Sequence, residues 1–223
     1  MSFTRFAVYY LPPDGSLASF GARWLGWDVA TGVAADQYTV TGLADATMTP
    51  RKYGFHGTLK PPFRLADGQT LDGLATAIET LAASTSPAKS DGLELRRLGQ
   101  FLALTPTGET RDIGRIAAAC VTNLDQFRAP PSEAELARRR AAGLTSRQDT
   151  LLMRWGYPYV MEEFRFHLTL TGKLGDANVG QWANAAAGLL PTLPRPFTLD
   201  TIALVGERKD GGFQLIQRYH LTG

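Results

Sequence analysis

Two stretches decide how this chain is read: Tyr53-Gly54-Phe55-His56-Gly57-Thr58-Leu59-Lys60 and Phe164-Arg165-Phe166-His167-Leu168-Thr169-Leu170-Thr171. Each contains Phe-His-x-Thr-Leu, and two of the chain's three histidines fall in this arrangement, one in each half. Both read as strands, the first stopped by Pro61-Pro62. Alternate residues of a strand share a face. One face of the first stretch therefore holds Gly54, His56, Thr58 and Lys60, and one face of the second holds Arg165, His167, Thr169 and Thr171. The opposite faces, with Phe55 and Leu59 or Phe164, Phe166, Leu168 and Leu170, are apolar and suited to a core.

Outward from these strands the chain alternates strand and helix signals. Phe3 to Leu11 reads as a first strand, followed by a helix from Ser16 with Leu17, Phe20, Trp24 and Leu25 on one side. Most of residues 28–52 read as loop. Apolar spacing predicts helices over Thr70 to Ala83 and Arg111 to Phe127. Ser132 with Glu135 forms a capping-box pattern that opens Glu133 to Ala142, and further helices are expected over Ser146 to Trp155 and residues 176–189. Pairs of strands at 93–105 and 196–220 are spaced as hairpins, which favours antiparallel pairing in an α+β fold. No glycine-rich loop follows a strand in the manner of a dinucleotide or nucleoside-triphosphate site.

The 223 residues, 44% hydrophobic and 20% charged, have the composition of a globular protein large enough for a proper core. A net charge of +2 argues against long nucleic acid as a partner, although a local cluster of cations suffices for a phosphate. Arg138-Arg139-Arg140, beside Glu133 and Glu135, reads first as a solvated helix face. The lone Cys120 lies in an apolar run and reads as a small buried hydrophobe. The apolar stretch near the N-terminus is too short for a signal sequence or a membrane span, so a cytoplasmic protein without a membrane partner is expected. No obligate protein partner is evident.

The repeated motif has a definite chemical use if its two copies meet. Two imidazoles that titrate near neutral pH can serve as general base and general acid in one turnover. Thr58 and Thr169 can donate hydrogen bonds to phosphoryl oxygens, and Lys60 and Arg165 can offset their charge if they are more than solvated cations. A metal is the main rival for a histidine pair, yet only Glu163 lies near as a further ligand, so no cofactor is expected. Tyr53 and Tyr157 either pack in the core or stack on a base or sugar, and Arg51 has a similar standing. His220 lacks a threonine partner and reads as surface.

The doubled His-x-Thr motif resembles the two-histidine phosphoesterase superfamily, which includes RNA 2′,5′-ligase-like proteins and cyclic phosphodiesterases. The strings Arg51 to Phe63 and Trp155 to Gly172 resemble its branch associated with phosphonate-utilisation operons. The resemblance implies one bilobal domain over residues 1–223, with two pseudo-symmetric antiparallel sheets, outer helices and a central cleft. A helical segment at about 110–157 would lie between the motifs, either covering the cleft or standing apart from it. The resemblance also implies that His56 and His167 are catalytic and that Thr58 and Thr169 bind phosphate. Gly57 stands where that branch often has Ala; both are small, so the difference is expected to leave activity intact. The implied substrate is a small cyclic phosphodiester, with a ribose cyclic phosphate as candidate. A binding module for a phosphorylated sugar, nucleotide or RNA end, and ligation by the same groups, stay open.

Overall fold

The computed structural model describes residues 2–223. Strand β1 (Phe6–Tyr10) leads into helix α1 (Ser16–Leu25), a small hairpin of β2 (Trp27–Asp28) and β3 (Val33–Ala34), and two short helices, α2 (Leu43–Ala46) and α3 (Met48–Arg51). The first histidine stretch runs into β4 (Gly57–Phe63). Next come α4 (Leu71–Ala83), β5 (Ala88–Ser90), the hairpin of β6 (Gly92–Leu98) and β7 (Phe101–Thr107), and α5 (Arg111–Asn123). Helices α6 (Glu133–Arg140) and α7 (Ser146–Trp155) form a central excursion before β8 (Leu168–Thr169). The chain closes with α8 (Asp176–Leu189), β9 (Phe197–Leu199), β10 (Thr201–Glu207) and β11 (Phe213–His220).

Seven strands form one antiparallel sheet in the order β11-β10-β1-β4-β8-β7-β6. Four strands belong to one half and three to the other, and the halves join at β4 and β8 through the pair Gly57↔Leu168. The fold is thus α+β with two antiparallel halves meeting where the histidine motifs lie. Each half has a hairpin at its outer edge, β10–β11 and β6–β7, as the strand spacing predicts.

Strand alternation sorts the side chains. Val8, Tyr10, Leu59, Leu102, Leu104, Leu168, Leu170, Ile202 and Leu204 face the main core, where they pack against Phe20, Trp24, Leu74, Ile78, Ile116 and Ala186 of α1, α4, α5 and α8. Full burial of each large apolar side chain contributes about 1.5–3 kcal/mol, so this layer carries most of the fold's stability. The Trp24 indole donates to the Leu170 carbonyl at 2.8 Å and ties α1 to the second motif. On the other face Ala7, Tyr9, Leu11, Ala203 and Val205 form a smaller cluster with Val29 and Phe213.

Several elements differ from the sequence reading. Strand β4 begins only at Gly57, because the turn at Lys52–Tyr53 and the left-handed Gly54 precede it, then passes through Pro61 and Pro62 and ends at Phe63. Its register against β1 slips on both sides of Val8, and β8 leaves its other edge beyond Gly57 unpaired, so amide donors at the prolines are not needed. The second motif is strand only at Leu168–Thr169, because the 3₁₀ turn Met161–Glu163, with Met161 at φ 54°, brings the chain in at an angle. The expected loop at 28–52 contains the β2–β3 hairpin and two one-turn helices. Helix α5 stops at Asn123, followed by the 3₁₀ turn Asp125–Phe127. Both α6 and α7 open on complete capping boxes, Ser132 with Glu135 and Thr145 with Gln148. Among the described residues no helix is long and apolar enough to cross a membrane.

Candidate active site

The junction of the two sheet halves builds the site. Around the pair Gly57↔Leu168, antiparallel geometry sets His56 across from Thr169 and Thr58 across from His167. All four side chains therefore rise from one face, crossed in pairs. The next strand adds to them: Ala103 pairs with Thr169, which places Thr105 beside His167. The Thr105 hydroxyl is buried and has no hydrogen-bond partner among the described residues.

Each imidazole is held the same way. The Nδ1–H of His56 donates to the Gly54 carbonyl at 2.9 Å, and that of His167 donates to the Arg165 carbonyl at 2.7 Å. A proton fixed on Nδ1 leaves Nε2 as the reactive nitrogen of each ring. Gly54 reaches its position at φ +71°, and a Cβ there would lie 2.5 Å from Val29, so glycine is required. His56 stacks on Tyr9 with ring centroids 3.7 Å apart, and its Nε2 meets the Thr58 hydroxyl at 2.9 Å. Burial lowers the His56 pKa to about 4, with the neighbouring His167 pushing in the same direction against the Gly54 carbonyl. Burial likewise lowers that of His167, opposed by its bond to the Arg165 carbonyl. Both rings are consequently neutral at neutral pH, and a bound phosphate would favour protonation of one of them.

A cleft of about 250 Å³ opens beside His56 and Thr169, lined also by Pro50, Tyr53, Phe101 and Lys173. Tyr53 stands 6.3 Å from His56 by ring centroids, and Phe101 stands 5.6 Å from His167. Thr58 and His167 border the site through the sheet register and do not line this cleft. Thr171, on the same face, is structural: its hydroxyl accepts the Leu102 amide at 3.0 Å and donates to the Gly172 carbonyl at 2.9 Å.

Lys60 and Arg165 are not where parity predicts, and Arg51, whose place the sequence leaves open, is engaged elsewhere. The bulge in β4 turns Lys60 off the histidine face. Its side chain is 2% exposed, and its ammonium donates to the Val121 carbonyl at 3.1 Å and lies 3.8 Å from Asp125. Burial pushes the Lys60 pKa down to about 8, opposed by Asp125. Arg51 points inward, donating to the Leu25 and Ala44 carbonyls at 2.9 and 2.8 Å, and thereby pins the 25–47 segment. The Arg165 guanidinium turns back on its own loop, donating to the carbonyls of Glu162 and Phe164, so this residue serves the site through its carbonyl. Tyr157 packs beneath Arg139, whose guanidinium lies 4.6 Å over its ring. Glu163 accepts from Gln148 of α7 at 2.9 Å. Cys120 is fully buried and burial pushes its thiol up to about 12, which leaves it unreactive.

Gly57 is closely packed at the junction. A Cβ there would lie 2.5 Å from two ring atoms of Phe166 in the main core. Tyr9, Phe101 and Thr105 are the site residues that the motifs do not reveal; they are brought in by strand neighbours.

This α+β fold has counterparts among known proteins. The chain belongs to the family described as "Protein of unknown function (DUF1045)", which matches residues 58–214. It is 44% identical over 186 residues to "Ribose 1,5-bisphosphate phosphokinase PhnN" of Janthinobacterium sp. (strain Marseille), covering 80% of this chain and 41% of that protein. It is 34% identical over 218 residues to the protein of the same name from Laribacter hongkongensis (strain HLHK9), covering 93% of this chain and 49% of that protein. The chain thus spans less than half the length of these relatives. Its fold is shared with TT0787 of Thermus thermophilus, with a TM-score of 0.50, 14% identity and 98% coverage of both chains. E. coli LigT complexed with phosphate aligns at a TM-score of 0.47 and 11% identity over 100% of both chains.

Proposed function

We propose that this protein is a metal-independent phosphoesterase that opens a small cyclic phosphodiester by two-histidine acid–base catalysis. The observation that carries the reading is the crossed arrangement of His56, Thr58, His167 and Thr169 at Gly57↔Leu168, with each Nδ1 tied to a carbonyl two residues upstream. In this reaction the Nε2 of one imidazole takes a proton from water as the water oxygen bonds to phosphorus. The bond from phosphorus to one ring oxygen of the cyclic ester breaks, and the Nε2–H of the other imidazole protonates that oxygen. Thr58 and Thr169 donate to the non-bridging oxygens, and substrate must first displace the Thr58 hydroxyl from His56. Proton exchange with solvent then resets the two rings.

The size of the cleft suits a sugar phosphate, and its Pro50, Tyr53 and Phe101 walls suit the apolar face of a ribose. The relatives' names, which speak of ribose 1,5-bisphosphate, support a ribose cyclic phosphate as the candidate substrate. Their kinase activity is not carried over, since the present sequence has no glycine-rich phosphate loop of the Gly-x-x-x-x-Gly-Lys type. The test is a screen of cyclic and linear phosphodiesters in the presence of chelator, with His56→Ala as control. Hydrolysis of a cyclic ester that the variant loses supports the reading. Binding without product over long incubation would instead make the protein a phosphate-ester binding module.

A further inference from the structure

We propose that a cavity bordered by Arg5, Arg64, Arg128, Arg138 and Arg139 binds a second anionic group of the substrate, a phosphate monoester on the molecule whose cyclic diester lies between the histidines. The inference rests on the phosphodiesterase reading and narrows its substrate to a doubly phosphorylated sugar.

Three of these arginines are fixed by carboxylates. Arg5 makes two bonds to Glu207 at 2.6 and 2.5 Å, Arg64 makes two to Glu135 at 3.1 Å each, and Arg128 makes two to Asp125 at 2.8 and 3.2 Å. Such pairs neutralise the guanidiniums and hold them as walls. Arg138 and Arg139 have no ion pair among the described residues, whereas the adjacent Arg140 is paired with Asp149. Arg139 is half-buried and held by its stack on Tyr157. Two uncompensated guanidiniums thus face a concavity whose one acidic neighbour, Glu135, is already taken by Arg64. A planar guanidinium fork matches phosphate oxygens, and a solvated helix face needs no such concavity.

The cavity holds about 40 Å³, room for roughly three waters at about 10–15 Å³ each, which is the size of a phosphate group's outer oxygens. Arg5 and Tyr9 share one face of the β1 segment, four residues and about 13 Å apart. Tyr9 in turn stacks on His56. Tyr157, which carries Arg139 on its ring, follows directly on the C-cap Gly156 of α7, itself part of the cavity wall. A sugar carrying a phosphate at each end, with a hydrogen bond of about 2.8 Å beyond either phosphate, covers a span on the order of 13 Å. The central α6–α7 excursion, which supplies Arg138 and Arg139 and leads into Tyr157, thereby becomes the element that selects the substrate.

The test compares a ribose cyclic phosphate with and without a 5-phosphate, using wild type, the Arg138→Ala/Arg139→Ala double variant and Arg139→Lys, each checked for an unchanged melting transition. Wild type should favour the 5-phosphorylated ester by about 10- to 100-fold in kcat/KM, mainly through KM. The preference should collapse in the double variant and survive in part in Arg139→Lys. A wild type without preference, or a double variant that keeps it, overturns the proposal. If wild type hydrolyses neither ester, the phosphodiesterase reading fails, and calorimetry with ribose 5-phosphate decides the cavity separately. Binding weakened about tenfold or more by the arginine substitutions and retained by His56→Ala/His167→Ala supports it, whereas binding unchanged by the arginine substitutions overturns it.

Discussion

Gly57→Ala adds one methyl group on the side of β4 that faces away from the histidines. That methyl would lie 2.5 Å from Cε2 and Cζ of Phe166, where ordinary contact begins at 3.4 Å, so strand or ring must move by about 1 Å. Phe166 has little room to give: it is 6% exposed and packed against Tyr10 and Phe197, with ring centroids 5.9 and 5.6 Å away. Overpacking of this kind costs about 1–3 kcal/mol. For a chain of this size each kcal/mol lowers Tm by about 2–4 °C, so a loss near 2 kcal/mol corresponds to about 4–8 °C. Because Gly57↔Leu168 joins the two halves, the same movement displaces His56 and Thr58 relative to His167 and Thr169. A shift of 1 Å in reacting groups can cost up to about 100-fold in rate. Urea unfolding and turnover of the ester found by screening would measure both losses. Phe166→Leu in the Gly57→Ala background should recover part of each, with a coupling energy of about 1 kcal/mol or more. A Gly57→Ala protein as stable and as active as wild type would refute the idea that this crossing is rigid.

Other residues give simpler expectations. Lys60→Met should keep kcat/KM within about threefold of wild type, because Lys60 is off the histidine face and Asp125 retains Arg128; a loss of about 100-fold would return Lys60 to the site. Tyr9→Phe should unfold at the same urea concentration or a slightly higher one, since the buried hydroxyl has no partner among the described residues and the ring stack on His56 is kept. For His56, whose pKa falls from 6.5 to about 4 on folding, the unfolded chain binds more protons between these values. Stability is therefore lost as pH falls through that window, by up to about 3 kcal/mol. His56→Gln should show a shallower loss between about pH 7 and pH 4.5 in urea unfolding, and equal slopes would contradict the partly buried, neutral ring.

The parts of this protein that follow local rules were legible in the sequence. Ser132 starts α6 as the cap that its spacing to Glu135 announces, and the 3.6-residue stripes of α4 and α5 face the core. The shared face of His56 with Thr58 followed from the two-residue period, as did that of His167 with Thr169, although the strands themselves begin only at Gly57 and Leu168. Parity failed at Lys60 because a bulge is set by the neighbouring strand, which no local pattern encodes. It gave Arg165 the right neighbourhood and the wrong atom, since the guanidinium found its own loop carbonyls. Tyr9 and Thr105 stayed hidden for a related reason: their roles come from strand order, β1 beside β4 and β7 beside β8. The fit of Gly57 against Phe166 is likewise a tertiary contact between residues far apart in the chain.

A crystal grown with inorganic phosphate or vanadate tests the central claim most directly. The account predicts one tetrahedral or trigonal-bipyramidal anion within hydrogen-bond distance of both histidine Nε2 atoms and both threonine hydroxyls. An anion held by only one motif, or imidazoles too far apart to share a phosphorus atom, would contradict it.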